Sequence, residues 1–391
     1  MKQMQTNPIV GILTSLVFTL ATGSSLKTLG QSSADTIDTR NGPFTAAGIW
    51  IHPKTKELKD MRMGPFVNLP DGGLVTVDTT NCLISRDNGK SWSSYPLFKD
   101  TSAYSIRVER ALIRTRRGTL ILAFMNEKEK SAFKWSEDIH DVPDAVLPTY
   151  VVRSTDGGRT WGSPQLMHRD WTGAIRDVIE MNDGTIIFTS MMMRHDPGHH
   201  TVLTYSSSDD GKSWKRSNII DLGGVGHHSG VTESTLEQLK SGELLMYMRT
   251  NWGSFWETRS VDRGVTWTDF RSTPIKASTA PGMFKRLKSG RLIMIWNQNL
   301  PQGRKNYPLR GGDNNWSEVY QSNHREELSV MFSDDEGKTW SAPIVIARVT
   351  KPNTQVSYPY FLERNPGEIW VTTMFGGLRL TFREADLAGS K

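Results

Sequence analysis

The chain has almost no cysteine, no run of like charge and little helical periodicity, and each shortage removes a class of answer. Cys82 is the one cysteine in 391 residues. No intramolecular disulfide and no thiolate zinc cluster can therefore form, and the thiol reads as buried and inert. Lys and Arg number 47 against 41 Asp and Glu, a formal net charge of +6. The basic residues are scattered rather than gathered into a patch, so the footprint of a nucleic-acid partner is missing, while a mild positive field favours an anionic ligand. After the N-terminal segment no apolar run is long enough to cross a bilayer. With 37% apolar and 23% charged residues, the composition is that of a soluble globular protein and argues against disorder.

The N-terminus differs from the rest. Lys2 is followed by an apolar stretch from Ile9 to Ala21 and then by small and polar residues through Ala34. A basic start, a short apolar core and small residues after it form a secretory signal. The expectation is a signal peptide over roughly residues 1–34, an exported protein that is periplasmic or extracellular, and no membrane span in the mature chain.

Glycine and tryptophan are plentiful, at 34 and 13, and they recur in register. The pattern Ser-x-Asp-x-Gly-x-Ser/Thr-Trp occurs five times, with its aspartates at Asp87, Asp156, Asp209, Asp262 and Asp335. The Asp carboxylate accepts backbone N–H groups of its own turn, and Gly supplies a positive φ. Trp packs back between sheets. This is a structural device at the outer turns. A second repeat places a glycine turn before a β-rich run six times, at Gly73, Gly118, Gly184, Gly242, Gly290 and Gly367. Each reads as a hairpin leading into a buried strand. Six such units predict an all-β fold, a six-bladed β-propeller of four-stranded antiparallel blades in one domain over residues 35–391. The segment Ile49–Ile51 is expected to give an outer strand to the last blade and close the ring. Irregular spacing places insertions at Asn126–Val146, Arg194–His200 and Pro301–Asn323.

In a propeller the innermost strand of each blade lines the axis, so residues about nine or ten before each glycine turn meet at the opposite face. Arg62, Glu233 and Tyr358 occupy those slots. On the return strands Asp78, Glu127 and Arg249 come back to the same face, and Arg325 opens the third strand of blade 5. Three Arg around one mouth imply a carboxylate ligand, which guanidinium forks bind bidentately. A phenol is a poor nucleophile until a base takes its proton, and Glu233 near Tyr358 is placed for that. A further carboxylic acid would protonate the leaving oxygen.

These positions resemble the sialidases and their BNR-repeat relatives over nearly the whole mature chain. The octapeptides look like Asp boxes. Met61-Arg62-Met63 resembles the family's Arg-Ile-Pro opening without its Ile-Pro pair. Thr232-Glu233-Ser234 with Met248-Arg249, His324-Arg325 and Val356-Ser357-Tyr358 resemble the segments of the Glu, the second and third Arg and the nucleophilic Tyr. The resemblance implies an exo-acting glycoside hydrolase that removes a terminal sugar acid, sialic acid, by a retaining mechanism with a Tyr nucleophile. Arg62, Arg249 and Arg325 would hold the substrate carboxylate, with Glu127 among the binding residues. Tyr358 would attack, activated by Glu233, and Asp78 would be the acid. No metal and no cofactor is implied, and the partner is an acidic glycan.

Two features depart from the family. The first hairpin passes from Val77 to Cys82 almost directly, which leaves Asp78 as the only Asp in reach for the acid. His195, His199, His200, His227 and His228 crowd loops expected to open on the same face; they read as solvated loop residues, or as replacements for the acid. Two alternatives therefore stand beside the sialidase reading: a propeller hydrolase or lyase acting on another acidic polysaccharide, and a non-catalytic glycan-binding propeller.

Overall fold

Each glycine turn and each octapeptide turn is the corner of an antiparallel blade, and six such blades follow one another around an axis, five of four strands and one with a fifth strand added at its edge. The computed structural model describes residues 42–388; the expected signal segment lies outside them. Blade 1 runs from Val67–Asn68 at the centre to Ser93–Pro96 at the rim, and blade 2 from Ala111–Arg114 to Gln165–His168. Blade 3 runs from Val178–Glu180 to Lys215–Arg216 and blade 4 from Thr232–Gln238 to Thr268–Lys276. Blade 5 begins at Met283–Arg286 and blade 6 at Ser357–Asn365. The one α-helix among the described residues is the short Glu384–Ala388, and no helix there is long and apolar enough to cross a membrane.

The second strands of the blades are buried end to end: Leu120–Met125, Leu244–Arg249 and Leu292–Trp296 show no exposed face. They do not alternate in polarity because both faces of a blade pack on its neighbours. Val75, Ile84, Leu122, Val152 and Trp161, for example, share one apolar cluster between blades 1 and 2. Cys82 lies in that cluster, where burial pushes its thiol up to about 12. It is the inert residue expected.

The octapeptides are closed circuits of hydrogen bonds. The Ser154 hydroxyl donates to Asp156 Oδ1 (2.8 Å) and accepts from the Gly158 N–H (2.9 Å). Asp156 then accepts from the Thr160 N–H (3.0 Å) and hydroxyl (2.6 Å), and Trp161 donates its indole N–H to the Gly158 carbonyl at 3.1 Å. Gly158 has φ +95°, and its Cα sits where a Cβ would strike Cys82 Sγ and Leu120. Hydrogen bonds from the Ser91 and Thr339 side chains hold Asp87 and Asp335 at about 2. In Asp156 and Asp209 burial works the other way, but the hydrogen bonds win and these two also sit at about 2. A carboxylate depressed on folding adds stability above its unfolded pKa, and that stability is lost as pH falls through the folded value. The melting temperature, followed by circular dichroism, is therefore expected to drop steeply between about pH 4 and pH 2. An unchanged melting temperature at pH 2.5 would contradict this. Asp156→Ala is expected to lower the melting temperature at neutral pH and leave ligand binding unchanged.

Ring closure differs from the expectation in one respect. Ile49–Ile51 does not join the last blade; it pairs with Ile344–Val349 as a fifth, outermost strand of blade 5. The strand that completes blade 6 is the next one, Thr55–Glu57, paired with Arg379–Arg383. The turn at His52–Lys54 is short, so the two consecutive strands fall on adjacent blades.

Candidate active site

At the face opposite the glycine turns the inner strands leave a cavity of about 230 Å³ around Glu233, Arg249 and Tyr358. Each of the three is less than a tenth exposed. Glu233 and Tyr358 stand at the starts of the inner strands of blades 4 and 6, as the offset from Gly242 and Gly367 requires. Both have left-handed backbones, with φ +32° and +61°. For non-glycine residues this costs of order 1–3 kcal/mol each, and it persists where the surroundings over-determine it, commonly at functional sites. At Glu233 the strand register shifts between Thr232 and Thr235, which turns the carboxylate toward the axis.

Arg249 is the hub. Its Nη1 donates to Glu233 Oε2 and to the phenolic oxygen of Tyr358, the latter at 3.1 Å. Its Nε and Nη2 donate to Thr279 Oγ1 at 3.1 and 2.7 Å. Arg325 lies over the Tyr358 ring with Cζ 5.4 Å from the centroid and donates to the Thr279 carbonyl at 2.6 Å. Burial alone would raise the Glu233 carboxyl, but the charges of Arg249 and Arg176 outweigh it and hold Glu233 below its ordinary value. Burial and then Glu233 raise the Tyr358 phenol, against Arg249 and Arg325. At rest the site thus holds a protonated phenol beside an ionised carboxylate.

Arg62, Asp78 and Glu127 are not brought into this group. Arg62 is exposed, its guanidinium 6.0 Å from the ring centroid of Trp92, the tryptophan of the first octapeptide. The chain reaches blade 1 directly from the rim of blade 6, where Leu58 N–H bonds to the Arg379 carbonyl and Gly64 N–H to Thr372 Oγ1. Arg62 is therefore still on the approach path when the inner strand begins. Asp78 caps its own turn, with Oδ1 accepting from the N–H groups of Thr80 (2.9 Å) and Asn81 (2.7 Å), and it does not line the cavity. Glu127 pairs with Arg107 and does not line the cavity.

Three residues at the centre escaped the sequence reading: Arg107, Glu109 and Arg176. Arg107 and Glu109 line the cavity, with Arg107 Nε 2.9 Å from Glu109 Oε2. Arg176, 2% exposed, lies beneath Tyr358 and Tyr360, 5.4 and 4.7 Å from their ring centroids, and donates to the Pro359 carbonyl at 2.7 Å. A signal did exist, since Glu109 stands at the same offset before Gly118 as Glu233 before Gly242.

His195 is exposed, as expected, but His199 and His200 are buried and His227 and His228 half-buried. His200, His227 and His228 line the cavity. Burial, reinforced by the charge of Arg249, pushes His200 down to about 4 and His228 to about 2, so both are neutral. His195 and His199 instead bond Asp141 and Asp221, each at 2.9 Å. Those contacts knit the insertions together. Gly198 N–H meets the His140 carbonyl, and the N–H groups of His227 and His228 meet the carbonyls of Asn315 and Trp316. The three insertions thereby form one collar, which adds Phe133 to the cavity wall beside Trp171, with ring centroids 4.7 Å apart.

The same fold is found in other proteins. Residues 141–371 match the family model for the BNR repeat-like domain. A protein of Bacteroides fragilis named Sialidase is 27% identical over 213 residues, which cover 49% of this chain and 35% of that one. The chain thus spans about a third of that relative's length. Among solved structures, the Hadza microbial sialidase Hz136 superposes with a TM-score of 0.58 at 16% identity, covering 84% of this chain and 65% of that one. The Trypanosoma rangeli sialidase in complex with 2,3-difluorosialic acid, described as a covalent intermediate, superposes at 0.53 with 14% identity over 88% of this chain and 57% of that one. These likenesses confirm the propeller, and the match over residues 141–371 decides the family: the chain belongs to the BNR repeat-like domain family.

Proposed function

We propose that the protein is an exported, exo-acting glycoside hydrolase that releases a terminal carboxylated sugar, sialic acid in the first instance, with retention at the anomeric carbon. The observation that carries this reading is the Glu233–Arg249–Tyr358 constellation: a buried phenol at the cavity floor, bonded to a guanidinium that also holds a carboxylate. A lectin needs cations for a carboxylate ligand but has no use for a strained Glu and Tyr at adjoining positions. In the proposed reaction the forks of Arg249 and Arg325 take the substrate carboxylate. Glu233 accepts the phenolic proton as Tyr358 Oη attacks the anomeric carbon. A neutral phenol approaches a centre already bearing a carboxylate with less repulsion than a carboxylate nucleophile would meet. The Bacteroides fragilis relative's name and the covalent intermediate described for the Trypanosoma rangeli enzyme agree with this chemistry.

One observation favours a different acidic sugar for the same machinery. Arg62 stands away from the cavity, and neutral His200 and His228 form part of the wall. Such a wall reads hydroxyl groups rather than charge. The experiment is hydrolysis of 4-methylumbelliferyl sialoside by the purified protein, with the corresponding glucuronide and galacturonide in parallel, and NMR of the first-formed anomer. Release of sialic acid as the α-anomer supports the proposal. Release from a uronide alone would move the substrate to that class, and an inverted product would exclude Tyr358 as nucleophile.

A further inference from the structure

The cavity contains two carboxyl groups in opposite electrostatic states. Glu233 is paired with Arg249 and stays ionised. Glu109, 6% exposed at the entry to the inner strand of blade 2, is the other. Its neighbours come from every side: Arg107 on its own segment, with Nε 2.9 Å from Oε2, Arg110 next in the chain, Arg176 from blade 3, Glu233 from blade 4 and Tyr358 from blade 6. Two carboxyls in one site, pushed apart by their environments, identify an acid and a base.

We infer that Glu109 is the general acid and base of the glycosidic reaction, in the place where the sequence suggested Asp78; the inference rests on the hydrolase reading above. Burial lifts the Glu109 carboxyl above its ordinary value, Arg107 and Arg176 offset this only in part, and Glu233 adds to it. The other candidates fail on geometry or charge. Asp78 is committed to its turn and lies off the cavity, and Glu127 is held by Arg107 and by Lys130 at 3.7 Å. His200 and His228 stay neutral, with no imidazolium proton to give at neutral pH.

In the first step the Tyr358 oxygen forms a bond to the anomeric carbon, and its proton passes to Glu233. The anomeric carbon–leaving oxygen bond breaks, and Glu109 delivers its proton to that oxygen. In the second step the Glu109 carboxylate takes a proton from water as the water oxygen attacks the anomeric carbon. The tyrosyl bond breaks, and the phenol recovers its proton from Glu233.

The test compares leaving groups in Glu109→Gln and Glu109→Ala. For sialyllactose, whose departing alkoxide needs a proton, kcat/KM is expected to fall about 10²–10⁴-fold. For 4-methylumbelliferyl sialoside, whose phenolate departs unaided, the loss is expected to stay below about tenfold. The alkaline limb of the kcat/KM profile should vanish in Glu109→Gln, and azide should accelerate Glu109→Ala, because a small anion needs no base. Equal losses on both substrates, a retained alkaline limb, or the leaving-group dependence appearing in Asp78→Asn instead would overturn the assignment. If the wild type cleaves no sialoside, the substrate reading fails separately. Glu109 is then tested by carbon-13 NMR titration of its carboxyl in the intact protein. It should titrate above the ordinary carboxylate range and fall in Glu233→Gln; a Glu109 that titrates in the ordinary range would overturn the inference.

Discussion

Tyr358→Phe is expected to lower kcat on an acidic glycoside by at least about 10³-fold and to leave its dissociation constant within about threefold. The substitution removes one oxygen and nothing else. The ring keeps its place between the guanidinium groups of Arg325 and Arg176 and against Phe375, whose centroid is 5.1 Å away. Arg249 loses its bond to the phenol but keeps Glu233 and Thr279. The guanidinium groups therefore survive while the phenolic oxygen, the proposed nucleophile, does not. Binding is read by calorimetry with the free sugar acid and turnover by product release. A variant that retains turnover would remove Tyr358 from the chemistry. If the wild type binds without turnover and Tyr358→Phe binds equally well, the protein is a glycan-binding propeller.

Arg249→Met has the second large effect, on stability as well as activity. Removing one member of a buried ion pair leaves the other charge uncompensated, at a cost of about 3–5 kcal/mol, and both partners here are nearly inaccessible. In the wild type the Glu233 carboxyl is depressed on folding. Without Arg249 burial is opposed only by more distant cations, and the folded value rises above the unfolded one. The penalty is then present at neutral pH and fades as pH falls through that raised value, because the protonated acid no longer carries a buried charge. Urea unfolding is expected to show a large destabilisation at pH 7, a smaller one at pH 4, and a substantial recovery at pH 7 on adding Glu233→Gln, with no recovery of activity. Additive destabilisation by the two substitutions would show that they are not coupled.

The parts of the fold that were legible in advance are those imposed by local chemistry. The Asp and Gly of each octapeptide act within their own turn, so five copies reveal five outer corners without knowledge of the rest. The glycine turns reveal the hairpins, and counting back from Gly242 and Gly367 reaches Glu233 and Tyr358 because those inner strands run straight to the axis. Counting back to Arg62 misleads because the inner strand of blade 1 is only Val67–Asn68, and the preceding chain is still crossing from the rim. Glu109 meets the same offset rule but sits in an Arg-rich stretch, where a lone Glu looks like a surface ion-pair partner. Its importance depends on burial, and it is buried among Arg107, Arg176 and Glu233, which enter from different blades. His200, His227 and His228, which line the cavity, were misjudged because burial is equally invisible in sequence.

The manner of ring closure has a consequence for the order in which the molecule is made. Lys54, beside the strand that completes blade 6, bonds through Nζ to the carbonyl of Asp386, 332 residues later. A ribosome adding about 5–20 residues per second delivers those partners roughly 15 to 70 seconds apart. Throughout that interval Thr55–Glu57 has no sheet to join, and blade 6, which carries Tyr358, does not exist. Blades 1 to 4 can hydrogen-bond within themselves as they emerge, but the cavity has no floor until the last hairpin arrives and Thr55–Glu57 docks on it. Losing the chain from Arg379 onward would therefore unfasten Thr55–Glu57 as well as its partner strand, at the blade that carries Tyr358.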